Sequence, residues 1–324
     1  MQLNPFDGKK VLIAGASGLT GHNLFNYVEF LCADVIGTYF DTPVKFSDGR
    51  DMFHMVDFTE RIPTKRFFER FKFDYVFICC AKTYNAFVCE SNPSSMILPN
   101  ITMVSNILEK CLEHKVGKVV YISSSTVYQP FNGKITEDEL DLNQDPHNLY
   151  MGVGWMKRYV EKLCEFYRQQ GLAIDIVRPT NIYGRYDKTD ETVSHVLPAL
   201  IMRALRNEDP YKVYGTGNPI KNFIHVDDFV RDVTIIAAYG DGNGVYNLCS
   251  DEENSIACAV NVILKEVGYS PKVEYLGTED KIPYKAVSRQ KFDKAFGKQT
   301  YIKLDKGIKD LIQWFSLLPQ TAKL

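Results

Sequence analysis

Val11-Leu-Ile-Ala-Gly15-Ala-Ser-Gly18-Leu-Thr-Gly21-His-Asn-Leu24 is the stretch that decides how the chain is organised. An apolar run that reads as a buried strand leads into three glycines spaced three apart, and an amphipathic stretch follows. A strand, a tight turn and a helix N-terminus are written this way, and the unpaired N–H groups of the first helical turn face an anion. In such a turn Gly15 lets the chain reverse after the strand. Gly18 lets the backbone approach a pyrophosphate, and Gly21 lets the helix pack closely on the sheet. Gly15, Ser17, Gly18, Leu19, Thr20 and Gly21 are therefore candidate cofactor-binding residues. A glycine triplet alone is weak evidence. Its place between a strand and a helix is what points to dinucleotide binding.

Working outward, strands alternate with helical patterns. Residues 34–40, 52–56, 75–80, 118–123 and 173–178 read as further strands, and 23–32, 64–71, 95–114 and 155–170 as helices between them. Alternation of this kind predicts right-handed βαβ units, hence an α/β fold with a doubly wound parallel sheet. After Pro179 the pattern loosens into loops, helices and short strands (212–214, 273–276), which predicts a smaller substrate lobe. The expected division is a dinucleotide-binding domain over 1–178, with 222–248 returning to it, and a substrate lobe over 179–324. The phenylalanines 67, 68, 71 and 73 read as core packing.

Composition narrows the function. With 324 residues, 45% of them hydrophobic, the chain can build a real core, and a net charge of −2 makes no electrostatic case for nucleic acid or an anionic membrane. No apolar run reaches the length of a membrane span, and Met1 to Lys10 lacks the apolar centre of a signal peptide. The eight cysteines are scattered without a CxxC pair, which predicts free thiols in a reducing compartment and no structural metal. A cytoplasmic protein is expected.

The residues after the second strand report on the adenosine ribose, where an acid favours NAD and a basic residue NADP. Here Asp41 follows, with Lys45 and Arg50 further on, so NAD is mildly preferred over NADP. Asp41 reads equally well as a solvated turn residue before Pro43. Asp57 reads either as an adenine contact or as a turn cap.

Taken together, the glycine triplet, Val56-Asp57-Phe58, Cys80-Ala81-Lys82, Ser123 to Tyr128, Arg178-Pro179-Thr-Asn181-Ile-Tyr-Gly184 and Phe223-Ile-His225-Val-Asp227-Asp228 resemble the extended short-chain dehydrogenase/reductases, the NAD-dependent epimerase/dehydratase family. The resemblance spans nearly the whole chain in order. Pro179 to Gly184 followed by Ser194 to Leu200 is most similar to the GDP-L-fucose synthase branch. It implies hydride exchange between a nicotinamide and a nucleoside diphosphate-sugar, with a tyrosine moving the hydroxyl proton, a lysine four residues later lowering its pKa, and a serine bonding the reacting oxygen. It also implies a homodimer.

Carried over, the resemblance assigns the serine to Ser124 and the lysine to Lys157, and it places Phe58, Ala81 and Pro179 beside the cofactor and Thr83 and Thr126 beside the substrate. Four residues before Lys157, however, stands Val153. Either Val153 replaces the tyrosine, or Tyr150 is the functional tyrosine and three residues are inserted before the lysine. The second reading needs a bulge near Gly152 and Gly154, because seven helical residues span about 10 Å. Ser125 and Thr126 stand where dehydratases carry an Asp–Glu pair, which argues against dehydration. His195 falls on a proton-exchanging histidine and Thr126 on its cysteine partner, which argues against two-site epimerisation. His195 reads alternatively as a substrate-hydroxyl contact or a helix cap. Asn181, Tyr214 and Lys221 are candidate contacts to the nucleotide diphosphate, with Arg185 and Lys285 as weaker ones. Asp227 and Asp228 read as caps.

Overall fold

The computed structural model describes residues 4–31, 33–41, 52–82, 94–190, 194–279 and 284–318. The chain enters through β1 (Lys10–Ala14), α1 (Leu19–Phe30), β2 (Asp34–Tyr39), β3 (Phe53–Met55), α2 (Arg61–Arg70), β4 (Tyr75–Ile78), α3 (Ser94–Glu113) and β5 (Lys118–Ile122). After a short β6 (Lys134–Ile135) come α4 (Met151–Gln169) and β7 (Ile174–Pro179). Strand β11 (Val245–Leu248) completes a seven-stranded sheet of order β3-β2-β1-β4-β5-β7-β11, with every neighbouring pair parallel. This is a doubly wound Rossmann-type sheet, as the alternation predicted.

Period-two alternation sends neighbouring side chains to opposite faces. Leu12 and Ala14 of β1 therefore join a core with Phe67, Phe68, Leu108 and Val160 from α2, α3 and α4. Val11 and Ile13 face the other way, against Leu24 and Phe25 of α1 and Phe229 and Val233 of α6 (Val226–Tyr239). Both faces are covered, which is why these strands read as unbroken apolar runs. The phenylalanines around 67–73 pack ring on ring within the first of these cores.

Beyond Pro179, β8 (Asn181–Tyr183), β10 (Ile220–His225), β12 (Glu253–Ser255) and β14 (Tyr284–Val287) build a second sheet with β6, and β9 (Tyr211–Val213) pairs with β13 (Val273–Tyr275). Helices α5 (Val196–Leu205), α7 (Ile256–Val267) and α9 (Leu304–Leu317) give this part its own core around Leu197, Ile201, Val260 and Ile308. Helix α8 (Gln290–Phe296) places Phe292 in the α1/α6 core. None of the described helices is long and apolar enough to cross a membrane. Helix α4 begins at Met151, four residues earlier than the sequence pattern indicates, because Gly154 lets it lie against Pro146 and the Thr126 carbonyl, where a Cβ would come within 2.5 and 2.7 Å.

Candidate active site

At the C-terminal end of β1 the three glycines differ in what they do. Gly15 has φ +87°, and a Cβ there would lie 2.5 Å from the Cys80 backbone. A Cβ on Gly21 would overlap the carbonyl oxygen of Gly15. Protein packing alone demands glycine at both places. Gly18 is different. Its φ is −86°, and a Cβ would meet only the Gly15 oxygen, at 3.9 Å. The clearing it leaves lies at the N-terminus of α1, which no side chain caps and whose first turn carries no acid. That open backbone at the positive end of a helix fits a diphosphate. Thr38 braces the turn, its hydroxyl accepting from Gly15 N (3.1 Å) and its carbonyl from Ala16 N (2.7 Å). Ser17, Leu19 and Thr20 are half-buried along the turn.

The other cofactor candidates separate. Asp57 lies two residues beyond β3 and accepts from Thr59 N (2.8 Å) and Thr59 Oγ1 (2.6 Å), so it closes its own turn. The Phe58 ring is 3% exposed and packs edge-on to Phe67, so its side chain serves the core and any contact to a cofactor falls to its backbone. Asp41 is exposed beyond the end of β2, while Lys45, Arg50 and Thr83 lie outside the described residues. Ala81 is exposed after β4, and Pro179 ends β7.

Ser124 and Lys157 come together at the end of β5. Ser124 caps a short 3-10 turn, its hydroxyl accepting from Thr126 N (3.2 Å). Lys157 donates from Nζ to the carbonyl of Ile122 at 2.9 Å and lies 4.9 Å from the centre of the Tyr121 ring. Burial lowers its pKa to about 8, with Glu161 and the thiols of Cys80, Cys164 and Cys79 opposing the shift. Helix α4 runs from Met151 to Gln169 without a 3-10 or π interruption, so the bulge required to bring Tyr150 one turn from Lys157 is absent. Val153 takes that turn and packs on the sheet core. Tyr150 sits before the helix, half-buried, its ring 6.3 Å from that of His147. The Thr126 hydroxyl is buried without a hydrogen-bond partner among the described residues.

Three polar groups that sequence reading did not single out hold this region. Asn100 on α3 accepts from Lys82 N (2.8 Å) and donates to Lys82 O (3.0 Å), fixing the backbone after β4. The signal was a polar residue on the buried stripe of Met96 and Val104. Arg158, buried, donates to the carbonyls of Val127 and Gln144 and ties the Ser124 turn to the segment before Tyr150. Beneath them Glu161 accepts from Ser123 Oγ (2.5 Å) and doubly from Arg178 (2.7 and 3.1 Å). Arg178 continues to the Tyr128 hydroxyl (3.0 Å), which donates to Asn247 (2.7 Å).

His195 caps nothing with its side chain; it precedes α5, its imidazole 62% exposed and 3.6 Å from the buried carboxylate of Asp187. Asn181 donates to Asn222 O (2.8 Å) and ties β8 to β10. Tyr214 is 76% exposed under the Arg203 guanidinium, and Lys221 lies on β10 in register with Lys285. Arg185 pairs with Asp227, His225 accepts from Asp227 N, and Asp228 binds Arg231 and Ile302 N, so these acids are structural. Among the described residues no metal-ligating cluster occurs.

His22, next to the cradle, stacks on Tyr186 at 3.7 Å, and burial lowers its pKa from 6.5 to about 4. The unfolded chain then binds more protons between those values, so stability is expected to fall as pH drops from 6.5 to 4, by at most about 3 kcal/mol. His22→Phe should flatten that part of a urea-denaturation pH series.

The match to a family model described as "NAD dependent epimerase/dehydratase family" covers residues 11–249. The chain is 27% identical over 319 residues to the probable GDP-L-fucose synthase 1 of Oryza sativa subsp. japonica, across 95% of this chain and 92% of that one. It superposes on a GDP-L-fucose synthetase from Naegleria fowleri with a TM-score of 0.84 at 23% identity, over 100% and 98% of the two chains. A UDP-glucose 4-epimerase from Thermotoga maritima gives 0.84 at 21%, over 95% and 98%. With its glycine cradle, Ser124 and Lys157 both at the end of β5, and a family match through most of its length, this chain belongs to the NAD-dependent epimerase/dehydratase family.

Proposed function

We propose that the protein is a nicotinamide-dinucleotide-dependent enzyme that reduces, oxidises or epimerises a nucleoside diphosphate-sugar at C4 or a neighbouring carbon. The observation that carries this reading is the clearing at Gly18, which the protein's own packing does not require, at the same carboxyl edge of the sheet as Ser124 and Lys157, two strands away. The relatives named for GDP-L-fucose synthesis support a nucleotide sugar as substrate. Residues 15–21 hold the pyrophosphate, Asp41 and Asp57 the adenosine, and Ala81, Lys157 and the Pro179 backbone the nicotinamide half. A bound nicotinamide supplies or accepts a hydride. Ser124 bonds the reacting oxygen; Thr126, Asn181, Tyr214, Lys221 and His195 face the nucleotide sugar. NAD is preferred over NADP, and the free thiols among the described cysteines agree with a cytoplasmic setting.

Absorbance at 340 nm tests it. NADH or NADPH with 4-keto nucleotide sugars, or the oxidised forms with their alcohols, should give a rate. Val153, half-buried against the core where a tyrosine is expected, favours a second reading: a cofactor-binding subunit without turnover. That reading stands if the dinucleotide binds and neither net turnover nor exchange of deuterium between cofactor and sugar occurs.

A homodimer across α3 and α4 belongs to the same proposal. Leu98 on α3 and Trp155, Tyr159 and Phe166 on α4 are exposed, the last three at helical spacing along one stripe. Tyr159→Glu is expected to shift sedimentation from dimer to monomer.

A further inference from the structure

We propose that Lys157 itself moves the hydroxyl proton, taking over the task of the tyrosine whose helical position Val153 occupies. This rests on the enzymatic reading above, since it needs a sugar hydroxyl in the site. Val153 lies one turn before Lys157 on an uninterrupted helix, offers no proton and packs, half-buried, against the core. Tyr150 precedes the helix, seven residues from Lys157. His195 precedes α5, its exposed imidazole 3.6 Å from the carboxylate of Asp187.

The surroundings of the Lys157 amine suit the task. Among the described residues it makes one hydrogen bond, to the Ile122 carbonyl two residues before Ser124, and no ion pair. Glu161, the carboxylate one turn away, is saturated by Arg178 and Ser123 and does not hold the ammonium. The other groups facing it are the Tyr121 ring and the thiols of Cys79, Cys80 and Cys164, all raised well above neutrality by burial and so uncharged. Desolvation, opposed by the Glu161 charge but not by a direct ion pair, leaves a lysine that loses its proton near pH 8. In the oxidative direction the neutral amine takes the sugar hydroxyl proton as the C–H hydride passes to the oxidised nicotinamide. The products are a carbonyl, the reduced nicotinamide and the Lys157 ammonium, and reduction returns the proton.

The first test needs no substrate. Competitive acetylation with acetic anhydride across pH 6–11, read at Lys157 by mass spectrometry on the full-length protein with NADH bound, should show a midpoint within about one unit of 8. A midpoint near that of an ordinary lysine overturns the proposal. Lys157→Arg keeps the charge and cannot deprotonate. At NADH concentrations that a fluorescence titration of the variant shows to be saturating, it should lose at least 100-fold in kcat. Lys157→Ala should regain activity with added ethylamine, increasingly above its deprotonation. Retained kcat in the arginine variant, or no amine rescue in a folded alanine variant, also overturns it. If the wild type moves no hydride in either direction, the enzymatic reading fails and takes the proposal with it. Turnover with an ordinary lysine midpoint removes the proposal alone.

Discussion

Gly18→Ala is expected to fold with wild-type stability and lose at least tenfold in dinucleotide affinity, while Gly21→Ala loses both stability and binding. Alanine is at home at φ −86°, and its methyl at position 18 would meet nothing closer than 3.9 Å within the protein. The methyl instead fills the clearing at the uncapped N-terminus of α1, where the pyrophosphate would approach the backbone. At position 21 the methyl overlaps the Gly15 carbonyl, and backbone stands on both sides of that contact. Helix α1 would have to lift from β1, which disorders the N–H groups that make the cradle. We expect Gly21→Ala to weaken binding at least 100-fold, about 3 kcal/mol, with a lower midpoint in thermal unfolding. NADH fluorescence titration beside calorimetry separates the two effects. Equal losses of stability in both variants would mean that Gly18 is a packing glycine.

Removing Glu161 is expected to be the most destabilising single substitution beneath the site. Its carboxylate is 5% exposed as a residue, and it neutralises Arg178, itself 5% exposed, through two hydrogen bonds. Glu161→Ala leaves a buried guanidinium without its counter-ion and the Ser123 hydroxyl without its acceptor, which costs about 3–5 kcal/mol. Replacing both partners, as Glu161→Leu with Arg178→Met, removes both charges together and should cost less than either single change. Urea denaturation of the three variants measures this. A double variant as unstable as the sum of the singles would show that the pair is not coupled. The single variant should also lower kcat, because Ser123 adjoins Ser124 and Glu161 lies one turn beyond Lys157.

Much of this molecule is legible in one dimension. Residues 10–14, 34–39, 75–78, 118–122 and 174–179 stand out as strands because both faces of a parallel sheet are buried, so the apolar run is local information. The glycine turn is equally local. Strand β11, by contrast, reads as nothing special in Gly244-Val-Tyr-Asn-Leu248. It is a strand because it pairs with Ile176–Pro179, nearly seventy residues earlier. The C-terminal sheet has the same character, with strands of two to six residues whose register depends on partners far away in sequence.

At the site, spacing between a strand and a helix marked the glycine turn, and the family resemblance pointed to Ser124 and Lys157 and to the valine at position 153 where a tyrosine is expected. Tertiary structure decided which glycine is left without a packing reason, that α4 stays regular past Gly152 and Gly154 and so strands Tyr150 outside it, and that Phe58 belongs to the core. It also decided that Glu161 is bonded to Arg178 and leaves the Lys157 amine without a direct ion pair. The division follows from range. Spacing within one element fixes which side chains share a face, whereas desolvation, clearance and pairing of charge depend on neighbours that only the folded chain brings near.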